Sequence, residues 1–430
     1  MGDPQDGGDL SRRNRGECDA TANRQWPQPA DDRKIDKVAN GEPLGSPHAG
    51  VDNNILVTSV SVRPVNGRGE FARFINHPYH RHANDPHWVA PLRWGERERL
   101  TPAKNPFFEH ADIELFLAWV GNRVVGRIAA IDDRLHLETH RDNTAMFGFF
   151  EAKDAATAAA LFEATEQWAR LRGRRCLRGP INPSLNDHAG LLIDGFDTDP
   201  QILMPHNPPE YATFIEQAGY RKAKDLYAWL YQVSPEPPPA VARAAVRLRE
   251  RTGLTIRPFN VREFEREAAR LRELYIAAWE RNWGFTAPTP TEFARLAGEM
   301  KPILDPRIAM CAEAGGRMVA CLVAIPDLNQ ALKGTNGRLF PTGLIRLLLR
   351  KRYINQARVL LLGIDPEYRR AFGLFQLLMF ELHRHSLAAG YKRLEFSWTL
   401  EDNREVNRAA EEAGSLRYKT YRIFEKALVP

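Results

Sequence analysis

Arg358-Val359-Leu360-Leu361-Leu362-Gly363-Ile364-Asp365-Pro366-Glu367-Tyr368-Arg369-Arg370-Ala371-Phe372-Gly373-Leu374 opens an apolar run that continues to about Ala389. The first seven residues read as a buried strand, because they are short, apolar and followed by a breaker at Asp365-Pro366. The run beyond Gly373 is long enough to be a helix. A loop feeding a helix N-terminus presents unpaired N–H groups and the positive end of the helix dipole, so it favours an anion. Outward from it, strand Arg393–Trp398 leads to Asp402-Asn403, a helix through Ala413 and a last strand, Tyr418–Phe424. Upstream stand strand Thr255–Phe259, helices through Trp279 and Met300, and the hairpin Ile308–Glu313 with Gly316–Ile325. The order predicts an α/β fold with a mixed sheet and one long helix between neighbouring strands.

The same order occurs twice. Glu114–Trp119 with Gly121–Ile131 matches the later hairpin, and Ile131 lies 194 positions before Ile325. Phe214–Lys222 matches Ala410–Lys419, and Gly219 lies 195 positions before Gly414. Two nearly equal offsets argue for a duplicated unit. Gly173 and Gly390 are 217 positions apart, so the insertions differ between copies. Ser234-Pro235-Glu236-Pro237-Pro238-Pro239 forbids regular structure. The expected organisation is a disordered tail at 1–54, a first unit at 55–232, a linker at 233–252 and a second unit at 253–430.

A net charge of +6 on 430 residues is mildly basic. It suits an anionic ligand or an acidic membrane surface and gives no argument for nucleic acid. The four cysteines have neither metal nor disulfide spacing, which fits buried thiols in a reducing compartment. The opening residues have no apolar run and no stretch is long enough to span a bilayer, so a cytoplasmic location is expected. His77, His80, His82 and His87 are close in sequence but match no zinc pattern, and no metal is expected.

With Leu361–Ala389 and Leu400-Glu401-Asp402-Asn403 in place, the chain resembles the GNAT (Gcn5-related N-acyltransferase) superfamily, closely over 255–430 and more loosely over 55–232. The resemblance implies two tandem acyl-CoA N-acyltransferase units with acyl-CoA as co-substrate. It places the pyrophosphate on Arg369, Arg370 and Gly373, and the thioester carbonyl on a backbone amide of Leu362, Gly363 or Ile364. Phe372 and Leu374 depart from the small residues usual in that loop. The first unit departs further, with Glu151-Ala152-Lys153-Asp154-Ala155-Ala156-Thr157 and no glycine. Cofactor binding is therefore expected in the second unit, with the first a degenerate copy shaping the acceptor pocket.

The usual acid of the family, a tyrosine on the last helix, is absent: Ala410 and Ile215 hold its positions. Tyr418 and Tyr421 either substitute for it or are ordinary strand aromatics. Glu151 is a candidate base or an exposed strand end. Asp187-His188 is a candidate base in a loop or simple turn chemistry. Asn403 caps a helix or touches the cofactor.

The whole chain also resembles a narrower group of double-domain GNAT-like proteins. The marks are Asn76-His77-Pro78-Tyr79, Asp85–Leu92, Asn105-Pro106-Phe107-Phe108-Glu109-His110, Gly179–Ser184 and Ser397-Trp398. That resemblance implies bacterial ceramide formation, in which long-chain acyl-CoA acylates the amine of a sphingoid base. Segment 337–353 is apolar and basic without an acid. It reads as an interfacial helix or lipid lid at the inner face of the membrane, or as a helix packed between units with its cations in water. Three other functions stay open: acetylation of a small polar amine, a Fem-like transferase fed by aminoacyl-tRNA, whose only candidate basic arm is the short 241–251 segment, and a non-catalytic scaffold.

Overall fold

The computed structural model describes residues 59–251, 253–369 and 373–429. The expected tail, Arg370 and the Ala371-Phe372 pair lie outside the described residues. In chain order the first half runs β1 (Ser61–Pro64), α1 (Gly67–Arg81), α2 (Arg93–Arg99), β2 (Ala111–Val120), β3 (Arg123–Asp133), α3 (Arg134–His140), β4 (Thr144–Ala152), α4 (Ala155–Leu171) and β5 (Cys176–Gly179). Two short strands, β6 (Ile181–Asn182) and β7 (His188–Ala189), precede β8 (Leu191–Asp194), α5 (Glu210–Gln217) and β9 (Arg221–Gln232). Helix α6 (Pro239–Arg251) follows the proline run.

The second half repeats the plan with β10 (Thr255–Pro258), α7 (Phe264–Trp279), α8 (Pro290–Met300), β11 (Ala309–Ala314) and β12 (Arg317–Pro326). The insertion folds as α9 (Asn329–Leu332), α10 (Thr342–Leu348) and α11 (Arg350–Tyr353). Then come β13 (Gln356–Ile364), α12 (Leu374–Ala389), β14 (Arg393–Leu400), α13 (Arg404–Glu412) and β15 (Leu416–Ala427). The β11–β12 turn rests on Gly315 and Gly316, both at positive φ, the conformation that a two-residue hairpin of matching twist requires.

One continuous sheet joins the halves in the order β1-β2-β3-β4-β5-β15-β9-β14-β13-β12-β11-β10. The last strand of each half is exchanged. β9 pairs with β14 of the second half, and β15 pairs with β5 of the first. β9 and β15 pair antiparallel at the centre, with Leu226 opposite Tyr421. Residues from Val60 onward accordingly form one compact unit.

Helix α12 buries Leu377, Leu378 and Leu382 against the sheet beside Val359 and Leu394. Each such side chain contributes about 1.5–3 kcal/mol by leaving water. Gly390, at φ +87°, ends that helix. The first half builds an equivalent core on Phe147, Leu161 and Phe162.

Candidate active site

In the second half, β13 and β14 pair in parallel only from Gln356/Arg393 to Val359/Phe396. Beyond that point they part. The backbone of Leu360–Ile364 has β12 on one side and no β14 partner on the other. Gly363 lets α7 close over this stretch, because a Cβ there would stand 2.8 Å from Trp279. At the far end, Gly373 (φ +108°) starts α12 with no side-chain cap and no acid in the first turn. Arg369 is exposed and its guanidinium donates to the Ala278 carbonyl, which ties the loop to the end of α7. An uncapped helix N-terminus with an arginine on its approach fits a pyrophosphate.

The first half has the same parting, with β4–β5 pairing ending at Met146/Arg178, but it is filled. Asn182 Oδ1 accepts the Phe149 N–H at 2.6 Å. A Cβ on Gly148 would lie 2.0 Å from the Ile181 carbonyl, so backbone already occupies the gap. Asp154 caps α4 by accepting from the Thr157 N–H (2.9 Å) and hydroxyl (2.7 Å). An anionic cap at that helix end repels a phosphate.

Charged groups gather where β13 and β14 separate. Glu395, fully buried, accepts from the hydroxyls of Tyr418 and Ser397. Arg358 Nε lies 3.7 Å from Glu395 and donates to Ser397 Oγ at 2.7 Å. Its remaining N–H groups donate to the carbonyls of Ile202 (2.9 Å) and Ser397 (3.2 Å). The Ile202 contact brings a first-half loop into the site. Burial pushes the Tyr418 phenol far above its usual range, and the neighbouring Glu395 carboxylate pushes it further, so the hydroxyl stays protonated. Tyr421, also fully buried, has its phenol raised by burial and makes no hydrogen bond. Lys419 donates to the Gly195 and Thr198 carbonyls, and burial lowers it to about 8. Asp327, buried nearby, is raised by burial to about 8.

Glu151, Asp187 and Asn403 are held by partners outside this centre, whereas His188 lies within electrostatic reach of Arg358. Glu151 is a buried anion, not an exposed strand end. It receives the Tyr211 hydroxyl (2.8 Å), and its Oε2 lies 2.9 Å from His82 Nε2. Burial alone would raise it, but His82, Arg127 and His77 outweigh that and hold it at about 2. Asp187 and His188 do not pair: Asp187 ends a turn, with its N–H donating to the Ser184 carbonyl at 3.1 Å, and His188 begins β7. Asp187 accepts from Ser184 Oγ (2.7 Å) and lies 3.7 Å from Arg295. The His188 ring lies against the Arg99 guanidinium at 3.3–3.4 Å; burial, then Arg99 and Arg358, push its pKa well down, so it is neutral at physiological pH. Asn403 accepts from the Val406 N–H (3.3 Å) as the cap of α13. Among the described residues no group of three or more His, Cys, Asp or Glu side chains is placed to hold a metal ion.

Arg358, Glu395 and Ser397 carry no motif that marks them as chemical groups in the sequence. The available signal was alternation: Arg393, Glu395, Ser397 and Thr399 alternate with apolar residues along one strand, and Arg358 lies on its neighbour.

A narrow pocket with room for about one water molecule opens between the halves, lined by Phe107, His110, Asp133, Leu185, Asn186 and Glu292 among others. Leu185 also packs in the apolar cluster of Tyr418, Tyr421, Trp283 and Trp398. His110 Nδ1 is 2.8 Å from Asp133 and Nε2 is 3.2 Å from Glu292. Those two carboxylates raise its pKa to about 9 against the opposing effect of burial. The folded value exceeds the unfolded one. The stabilisation is therefore complete below about pH 6.5 and lost as pH rises through about 9. Denaturation midpoints of the intact protein are expected to fall across that window. His110→Gln is expected to flatten the fall, and an unchanged slope in that variant would remove His110 as its source.

No family model matches the chain. It is 37% identical over 377 residues to a protein of Caulobacter vibrioides named bacterial ceramide synthase, covering 86% of this chain and 98% of that one. It is 36% identical over 382 residues to protein YghO of Escherichia coli K12, covering 87% and 97%. Among solved structures, a tandem GNAT protein from the clavulanic acid biosynthesis pathway superposes with a TM-score of 0.52 at 14% identity, over 86% of this chain and 99% of that chain. The duplicated sheet with its two parted strand pairs, and near-full-length identity above one third, place this chain in the family of bacterial ceramide synthase, with a tandem GNAT fold.

Proposed function

We propose that the protein is an N-acyltransferase that moves a long-chain acyl group from acyl-CoA to the amine of a sphingoid base, forming a ceramide-type amide. The observation that carries the chemistry is the Glu395–Tyr418 pair at the apex of the β13–β14 opening. The amine nitrogen attacks the thioester carbonyl, the new C–N bond forms and the C–S bond breaks. The amine proton passes to the Glu395 carboxylate, directly or through Ser397. The Tyr418 hydroxyl supplies a proton to the departing thiolate and is restored from Glu395. A backbone amide of Leu362, Gly363 or Ile364 holds the carbonyl oxygen as charge develops. Arg369, Arg370 and Gly373 hold the pyrophosphate. The first unit, 55–232, binds no acyl donor and shapes the acceptor side of the site. Linker 233–252 joins it to the second unit, 253–430. The protein works in the cytoplasm at the inner membrane face, with no metal and no nucleic acid.

The test is mass spectrometry of purified protein incubated with palmitoyl-CoA or acetyl-CoA and a mixture of sphinganine, 3-oxosphinganine and small polyamines. A long-chain amide of a sphingoid base is expected. Arg369→Ala is expected to raise KM for the donor about tenfold, the value of one charge-assisted hydrogen bond, with kcat little changed. Acetylated polyamine alone would favour a small-amine enzyme. No product would leave the scaffold or the tRNA-fed transferase.

A further inference from the structure

The inserted segment between β12 and β13 is tied down on one side and bare on the other. Lys333 Nζ lies 2.6 Å from Asp199 of the first half. The Arg93 backbone N–H donates to the Gly337 carbonyl at 3.1 Å, and Arg93 Nε donates to the Asn336 carbonyl at 3.2 Å. Arg346 donates to the Lys333 carbonyl at 2.7 Å. A Cβ on Gly337 would meet the Pro91 carbonyl at 2.4 Å, so the segment is seated directly on the first half.

Five of its large apolar side chains nevertheless face outward. Leu348 is 75% exposed, Phe340 70%, Ile345 53%, Leu349 50% and Tyr353 39%. Trp94, 55% exposed, follows Arg93 along the chain. Single exposed apolar residues are ordinary, but a group of this size on an anchored support marks an interaction surface. Its rim is cationic. Arg338, Arg350, Lys351 and Arg352 are exposed, and no Asp or Glu occurs from Leu328 to Ile364. Among the described residues no helix is long and apolar enough to cross a membrane, so any lipid contact of these helices is a surface one.

We infer that this platform docks the protein onto an anionic lipid bilayer, with Phe340, Ile345, Leu348, Leu349 and Tyr353 entering the interface and the four cations facing lipid phosphates. The charge pattern selects a lipid surface over a second copy of this chain: a self-facing patch would set like charges against each other, whereas a bilayer of anionic lipids pairs them. The inference rests on the sphingoid-base reading for its purpose, because a long-chain amine resides in the bilayer and has to be taken from it.

The experiment is sedimentation of the full-length protein with phosphatidylcholine vesicles, with and without phosphatidylglycerol, and at rising salt. Each variant is also assayed on substrate in detergent micelles. The wild type is expected to bind the anionic vesicles, to bind neutral ones weakly, and to be released by salt. Leu348→Glu/Leu349→Glu is expected to abolish binding. Arg350→Gln/Lys351→Gln/Arg352→Gln is expected to weaken it by roughly fivefold per cation removed. Both variants keep the wild-type rate in micelles. Equal binding of the wild type and the variants overturns the docking inference. So does a change in oligomeric state by light scattering in the leucine variant with vesicle binding intact, which would identify a second copy as the occupant. Absence of micellar turnover in every protein would instead count against the acyltransferase reading and leave the docking result standing.

Discussion

Glu395→Gln is expected to lower kcat by about 10²–10⁴-fold, the usual range for a positioned acid or base, with KM for acyl-CoA within a few-fold of wild type. The substitution keeps the shape of the side chain and its ability to accept from the Tyr418 hydroxyl, and removes the carboxylate proposed to take the amine proton. Steady-state kinetics on micellar substrate read it directly. Tyr418→Phe is expected to lose less, because water can protonate a departing thiolate more readily than it can replace a buried base. Circular dichroism separates chemistry from folding: the Gln variant should retain the wild-type spectrum. A kcat within threefold of wild type in a folded Glu395→Gln protein would remove Glu395 from the mechanism, and the search would move to His188 and Asp187.

Arg358→Ala is expected to destabilise the fold by about 3–5 kcal/mol, the cost of leaving a buried partner charge uncompensated. Arg358 is 5% exposed and Glu395 is 0% exposed. Arg358 also satisfies the carbonyls of Ile202 and Ser397, so its loss strands two further acceptors. Urea denaturation provides the measurement. The double variant Arg358→Ala/Glu395→Ala is expected to be less unstable than the sum of the two singles, because the second change removes the stranded charge. Strict additivity would mean that the two side chains do not interact as the geometry indicates.

The duplication was legible because offsets of 194 and 195 are properties of the chain alone. The exchange of β9 and β15 was not. Both segments carry the pattern of a closing strand, and which sheet edge each strand joins is decided by tertiary pairing, which local periodicity does not encode. The contrast between the loops after β4 and β13 was half legible. The lack of glycine after Glu151 announced the closed site. The filling of the gap by Asn182 and Ile181 depends on a loop that folds back across space.

Tyr418 was named because it stands on the last strand, and it lies in the charged centre. Tyr421 lies beside it without a hydrogen-bond partner. Glu395 was overlooked because a lone acid in a strand reads as an exposed position until its neighbours are known. Asp187-His188 looked like a unit because the residues are adjacent, but Asp187 closes a turn onto Ser184 while His188 begins a strand beside Arg99. Segment 337–353 is anchored against the first half, and Phe340, Ile345, Leu348, Leu349 and Tyr353 face outward.

The central claim is that the acyl donor binds the opening between β13 and β14 and not its closed counterpart in the first half. Hydrogen–deuterium exchange of the intact protein, with and without palmitoyl-CoA, tests it most directly. Slowed exchange is expected at the backbone amides of 360–364 and 373–377, with 149–157 unchanged. Slowed exchange confined to 149–157 would contradict it and move the donor site to the first half.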